Sequence, residues 1–190
     1  PRNYTGDFGF YREYWKYSGY GGAVYVEWNS APTFIDCNFV NNHTFGGVSG
    51  TGWVPSFAID IENFGGAFYA GYGSSPQLIN CAFADSSADM NTVPTPEDPF
   101  VSYGGTLAFE GQTAAILENC RITDSEACVG GAIYWSDATL TARDCNITDT
   151  EAYHGGALYS AEAFGTVSGS IISENRAFNA PPPPPSDPND

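Results

Sequence analysis

Four cysteines, Cys37, Cys81, Cys120 and Cys145, stand in matching surroundings along the chain, and a row of thiols has three chemistries open to it. Structural zinc is held by close pairs such as Cys-x-x-Cys, and the sequence contains no such pair. Disulfides between neighbouring repeats remain open, since like positions of stacked coils come within bonding range. In-register side chains lie side by side, however, which is not the easiest geometry for a bridge. The plainer alternative is a buried ladder of small, soft thiols. Cys128 falls outside the row, makes the count odd, and is a candidate to pair with Cys120 across a turn.

Two further rows carry chemistry. Tyr25, Tyr69, Tyr134 and Tyr159, interrupted by Ala108, form a column that would serve as a platform for sugars or for a partner's aromatic groups. The competing reading is stacked rings that pack on one another or lie beneath an insertion. Asp85, Asp124, Asp149 and Glu174 form a column of like charges. Carboxylates with nearby Asn and Ser oxygens suit calcium, but no Asp-x-Asn-x-Asp-Gly loop occurs, and acids fanning into solvent at a turn is the simpler reading. Sugar cleavage needs paired carboxylates about a cleft, and no Asp-Asp pair is present; His43 and His154 are isolated in sequence. No Gly-x-Ser-x-Gly, phosphate-loop or dinucleotide motif occurs. The expectation is a protein that is not an enzyme and has no cofactor, with calcium at the acidic column as the alternative.

The elements that must position these rows announce themselves as a repeat. Gly21-Gly22-Ala23-Val24-Tyr25, Gly65-Gly66-Ala67-Phe68-Tyr69, Gly104-Gly105-Thr106-Leu107-Ala108, Gly130-Gly131-Ala132-Ile133-Tyr134 and Gly155-Gly156-Ala157-Leu158-Tyr159 each precede the cysteine slot by 16, 16, 16, 15 and 15 residues, with Ser170 filling the last slot. An apolar position three residues before the slot reads Phe34, Leu78, Leu117, Ala142 and Val167, and one two residues after it reads Phe39, Phe83, Ile122, Ile147 and Ile172. Asp36, Asn80, Asn119, Asp144 and Gly169, just before the slot, tolerate left-handed backbone and predict a sharp bend. A small residue, Thr44, Ala88, Ala127, Ala152 or Ala177, closes each unit. Short strands with period-two patterning, turns between them and no helical period predict an all-β fold, a right-handed single-stranded parallel β-helix of five to seven coils. The aliphatic column beginning at Val24 is expected inside and the tyrosines outside.

Glycine-pair intervals of 44, 39, 26 and 25 residues place insertions near 43–64 and 89–103 within an array spanning 21–180. Residues 1–20 hold eight aromatics and are too aromatic for a linker, so they read as an arm buried against the first coil or a neighbouring molecule. Residues 181–190 leave the array as a polyproline tail.

Six basic residues against 22 acidic ones give a net charge of −16, which excludes phosphate-driven nucleic-acid binding and disfavours an anionic membrane surface. No run approaches the ~20 apolar residues of a membrane span. A chain that opens on Pro1 without a signal peptide reads as a processed chain or a fragment. Sequons at Asn3, Asn42 and Asn146, with the acidic charge and near absence of lysine, favour an extracellular or cell-surface glycoprotein.

Gly131-Ala132-Ile133, Gly156-Ala157-Leu158 and Gly22-Ala23-Val24, with Phe39-Val40-Asn41-Asn42 and the looser Ile172-Ser173-Glu174-Asn175, resemble the Gly-Gly-Ala-aliphatic and Phe-x-x-Asn repeats of polymorphic outer-membrane-type proteins. The resemblance covers residues 21–180 and speaks to fold more than function, since such repeats serve adhesins, surface layers and fibres alike. That family's membrane-anchoring barrel is not carried over. The run Pro181, Pro182, Pro183, Pro184 and Pro185 with its adjacent serine is similar to hydroxyproline-rich glycoproteins, which implies hydroxylated prolines bearing O-linked sugars. The function expected is a structural subunit of an extracellular fibre, appendage or coat, partnered end to end by copies of itself. A carbohydrate-binding adhesin module is the alternative, and a polysaccharide lyase or hydrolase is third.

Overall fold

A computed structural model describes residues 15–44, 59–88 and 100–178. The described chain is built of strands and turns that wind through five coils of a right-handed parallel β-helix. Each coil contributes one strand to each of three parallel sheets. The first sheet follows the glycine pairs and stacks Val24–Val26, Phe68–Ala70, Leu107–Glu110, Ile133–Ser136 and Leu158–Ala161. The second stacks Thr33–Ile35, Gln77–Ile79, Ala114–Glu118, Thr139–Arg143 and Phe164–Ser168. The third contains Asn38–Val40, Ala82–Ala88, Arg121–Val129, Asn146–His154 and Ile171–Ser173.

Register keeps like residues in line. Phe68, Leu107 and Ile133 pair successively in the first sheet, Leu78, Leu117 and Ala142 in the second, and Phe83, Ile122 and Ile147 in the third. All nine are at most 1% exposed. Burying a Leu, Ile or Phe is worth roughly 1.5–3 kcal/mol, but a single coil cannot bury its own column; each side chain is covered by the one above and the one below. The aliphatic column therefore faces in, as its alternation with tyrosine predicts.

The corners are set by backbone that most residues avoid. Asp36, Asn80, Asn119, Asp144 and Gly169 have φ of 55, 54, 51, 53 and 62°, the left-handed bend their types predict. Their side chains bond along the stack: Asn80 Nδ2 donates to Asp36 Oδ1 at 3.0 Å and Asn119 Nδ2 to Asn80 Oδ1 at 2.9 Å. Asn41, Asp85, Asp124, Asp149 and Glu174 form a second left-handed column that kinks the third sheet.

The stretches read as insertions contain ladder strands at their edges. His43–Thr44 pairs with the end of Ala82–Ala88, Ile59–Phe64 pairs with both Trp15–Tyr20 and Phe100–Tyr103, and Tyr103 lies beside Val129. Sequence could not mark them because they lack the glycine-pair signature that locates the rest of each coil. Trp15–Tyr20, the end of the aromatic arm, is the matching strand of the first coil, so this part of the arm joins its own array. Residues 1–14 and 181–190, and with them Asn3 and Pro181–Pro185, lie outside the described residues.

Candidate functional site

Cys81, Cys120 and Cys145 are at most 2% exposed and line the inner core, with Cys37 half-buried at its first coil. Their stacking is fixed by backbone bonds from the following residue of one coil to the slot carbonyl of its neighbour: Ala82 N–H to Cys37 O, Arg121 N–H to Cys81 O and Asn146 N–H to Cys120 O. The thiols are free and donate to carbonyls, Cys120 Sγ to Leu78 O at 3.2 Å and Cys145 Sγ to Arg143 O at 3.2 Å. Burial pushes the Cys81 thiol up, while contact with the Cys145 thiol and burial together push Cys120 up. Thiols enclosed in the core are out of a reagent's reach and react slowly. With a small maleimide, we expect one fast adduct at Cys37 and four more only in denaturant, read by intact mass; fewer than five in denaturant would reveal a bridge.

A Cys120–Cys128 disulfide is not formed. Cys120 faces the inner core, whereas Cys128 is packed in a separate cluster with Phe64, Tyr69, Ala108 and Tyr134. That second cluster also corrects the tyrosine platform. Tyr69 and Tyr134 are only 2% and 7% exposed, because Phe64 and Tyr103, from the strands Ile59–Phe64 and Phe100–Tyr103, pack against their rings. Phe64 stacks on Tyr103 at 4.9 Å and Tyr103 leans on Tyr134 at 4.6 Å. Burial and the Glu110 carboxylate, to which Tyr69 donates at 3.3 Å, hold the Tyr69 hydroxyl above its ordinary range. Only Tyr25 and Tyr159, at the two ends, are exposed, so a continuous glycan face is not available on this column.

A groove of about 500 Å³ lies at the kink of the third sheet and is lined by Asp85, Asp124, Asp149 and Glu174 with Glu126 and Glu151. The four column acids are all exposed. Among the described residues no three His, Cys, Asp or Glu groups converge as metal ligands. His43 Nδ1 lies 2.7 Å from Ser87 Oγ, a contact that follows from their being register partners in the ladder.

Of the sequons, Asn42 has its Nδ2, the atom that would carry the sugar, enclosed, so a glycan there has no room in the fold. Asn146 is half-buried at the start of its strand with Oδ1 enclosed.

Two features escaped the sequence reading. The turn between the first two sheets is a third left-handed column, and it holds Trp28 at φ 59° and Tyr72 at φ 53°. They stand 72% and 53% exposed. The signal was in the alignment, where these bulky rings share a column with Gly111 and Asp137. The second feature is at the ends. Nearly all exposed large hydrophobics fall on the first coil (Tyr20, Tyr25, Trp28, Ile35, Val40) or the last (Tyr159, Phe164, Val167, Ile171, Ile172). Val167 and Ile172 belong to the inward-facing columns, so the last coil shows its core in cross-section.

Comparison with known families gives one match, in which the model of the right handed beta helix region covers residues 22–180. Comparison with curated proteins and with solved structures found no match.

Proposed function

Since the chain belongs to the right-handed beta-helix family, whose members serve many ends, we propose that it is a non-enzymatic structural subunit that assembles end to end with copies of itself. The observation that carries this reading is the open core of the last coil. Among the described residues, Leu158, Val167 and Ile172 end the same columns that Val24, Phe34 and Phe39 begin, and all six are incompletely buried. A second copy set on that end would continue each column and its ladder of backbone hydrogen bonds. Such a head-to-tail contact is heterologous and propagates into a filament unless the rotation closes it. An extracellular or cell-surface place is part of this proposal, supported by the acidic composition and by sequons at Asn3 and Asn146.

The net charge of −16 opposes the contact through self-repulsion, and salt shortens the reach of that repulsion to about 8 Å at physiological strength. Association should therefore strengthen as salt is raised. Sedimentation of the whole chain is expected to show concentration-dependent species, and Val167→Glu with Ile172→Glu should abolish them while keeping the β signature in circular dichroism. A monomer at all concentrations and salt levels would refute the reading. So would an assembly that the double variant leaves intact.

A further inference from the structure

We infer that the Trp28–Tyr72 pair is the floor of a binding site for an uncharged pyranose glycan. The coil geometry demands left-handed backbone at this turn in other coils too, where Gly111, Asp137 and Glu162 have φ of 57, 46 and 49°. Glycine, Asn and Asp meet that demand with little strain, whereas a bulky ring there is an outlier. Such strain persists where the surrounding structure over-determines it. The chain nevertheless places aromatics on two successive coils, and neither belongs to a core cluster. The rings stack on each other at 5.0 Å and 12°, leaving flat apolar faces in solvent.

The turn is firmly held. Asn29 N–H donates to Tyr72 O at 3.1 Å and Gly73 N–H to Gly111 O at 2.7 Å, so the rings sit on ladder-bonded backbone. After Tyr72 the column drops to Gly111, where an added Cβ would meet only Tyr72 backbone, at 3.2 Å. The two rings and this glycine line a groove of about 340 Å³, edged by Asn29, Gln112 and Asp137. A flat apolar floor with a few polar groups at its rim is what an amphipathic ligand requires. A pyranose offers C–H groups on its face and hydroxyls on its edge: the face lies on the aromatic ring, and amides and carboxylate take the hydroxyls. The Asp137 carboxylate and the strongly negative chain disfavour uronates, so a neutral sugar fits the site better than an acidic one.

The test is a titration of the whole chain with cellohexaose, chitohexaose and trigalacturonate, followed by tryptophan fluorescence and calorimetry. Saturable binding of at least one neutral probe, and none of trigalacturonate, is expected. Tyr72→Asn and Trp28→Asn, which keep a residue type suited to left-handed backbone, should each weaken it at least tenfold without changing the circular dichroism spectrum. Gln112→Ala should weaken it less. The assignment is overturned if no neutral probe binds saturably, if both Asn variants bind as well as the parent, or if trigalacturonate binds as well as the neutral probes.

Discussion

Gly131→Ala is expected to destroy the fold at that coil, lowering stability by more than about 4 kcal/mol, the exceptional class for one substitution. An added Cβ would stand 2.1 Å from Gly156 O of the next coil and 2.7 and 2.8 Å from Glu151 O and N. These atoms are backbone on two sides of the residue: the next rung of the ladder and the strand that closes the same coil. Neither can retreat without opening hydrogen bonds, including Gly131 N–H to Gly155 O at 3.1 Å. The first glycine of the pair is needed for another reason. Gly130 has φ of 66°, and left-handed backbone costs an ordinary L-residue about 1–2 kcal/mol. Gly165 is the comparison, because the atoms nearest its added Cβ are those of the Trp135 ring, from 3.0 Å, rather than backbone, and its φ is not positive. Urea denaturation followed by circular dichroism should find Gly165→Ala folded, with the Trp135 ring shifted to make room, and Gly131→Ala unfolded or nearly so. Comparable stability for the two would show that the corner does not need its close approach.

The fold was legible because every coil repeats the same physical problem with the same answer. The glycine pairs, the Asp or Asn before each slot and the inward aliphatics are each forced by backbone geometry or burial, and each appears in the sequence at fixed offset. What covers the outer face of the first sheet was not legible. Tyr69 and Tyr134 look the same in sequence as Tyr25 and Tyr159, and only the strands Ile59–Phe64 and Phe100–Tyr103, which have no repeat signature, separate buried from exposed. Cys128 was misread for a related reason. Eight residues from Cys120 is a plausible span across a turn, but the extended strand Arg121–Val129 carries it to another core. The Trp28–Tyr72 pair was visible as a break in turn chemistry, yet its exposure depends on the neighbouring Gly111, which matters only once coils are stacked.

Ile147→Ala and Ile172→Ala are the same change in the same column one coil apart, and they should differ severalfold in cost. Ile147 is 1% exposed, between Ile122 and Ile172, so truncation leaves a cavity and costs about 2–5 kcal/mol. Ile172 is 44% exposed, and its removal from the isolated chain should cost under about 1 kcal/mol. In a stacked array each coil is stabilised chiefly by its neighbours, so the end residue has half the partners of the central one. The ratio between the two variants becomes informative when measured against protein concentration. If a second copy covers the last coil, binding to the folded state adds stability by mass action, and Ile172→Ala must grow more costly as concentration rises. Ile147→Ala should keep the same penalty, because its neighbours are supplied by its own chain. Denaturant midpoints for both variants and the parent across a hundredfold concentration range measure this directly. A penalty at Ile172 that stays constant while Ile147 behaves as expected would leave the β-helix intact and remove the end-to-end contact from it.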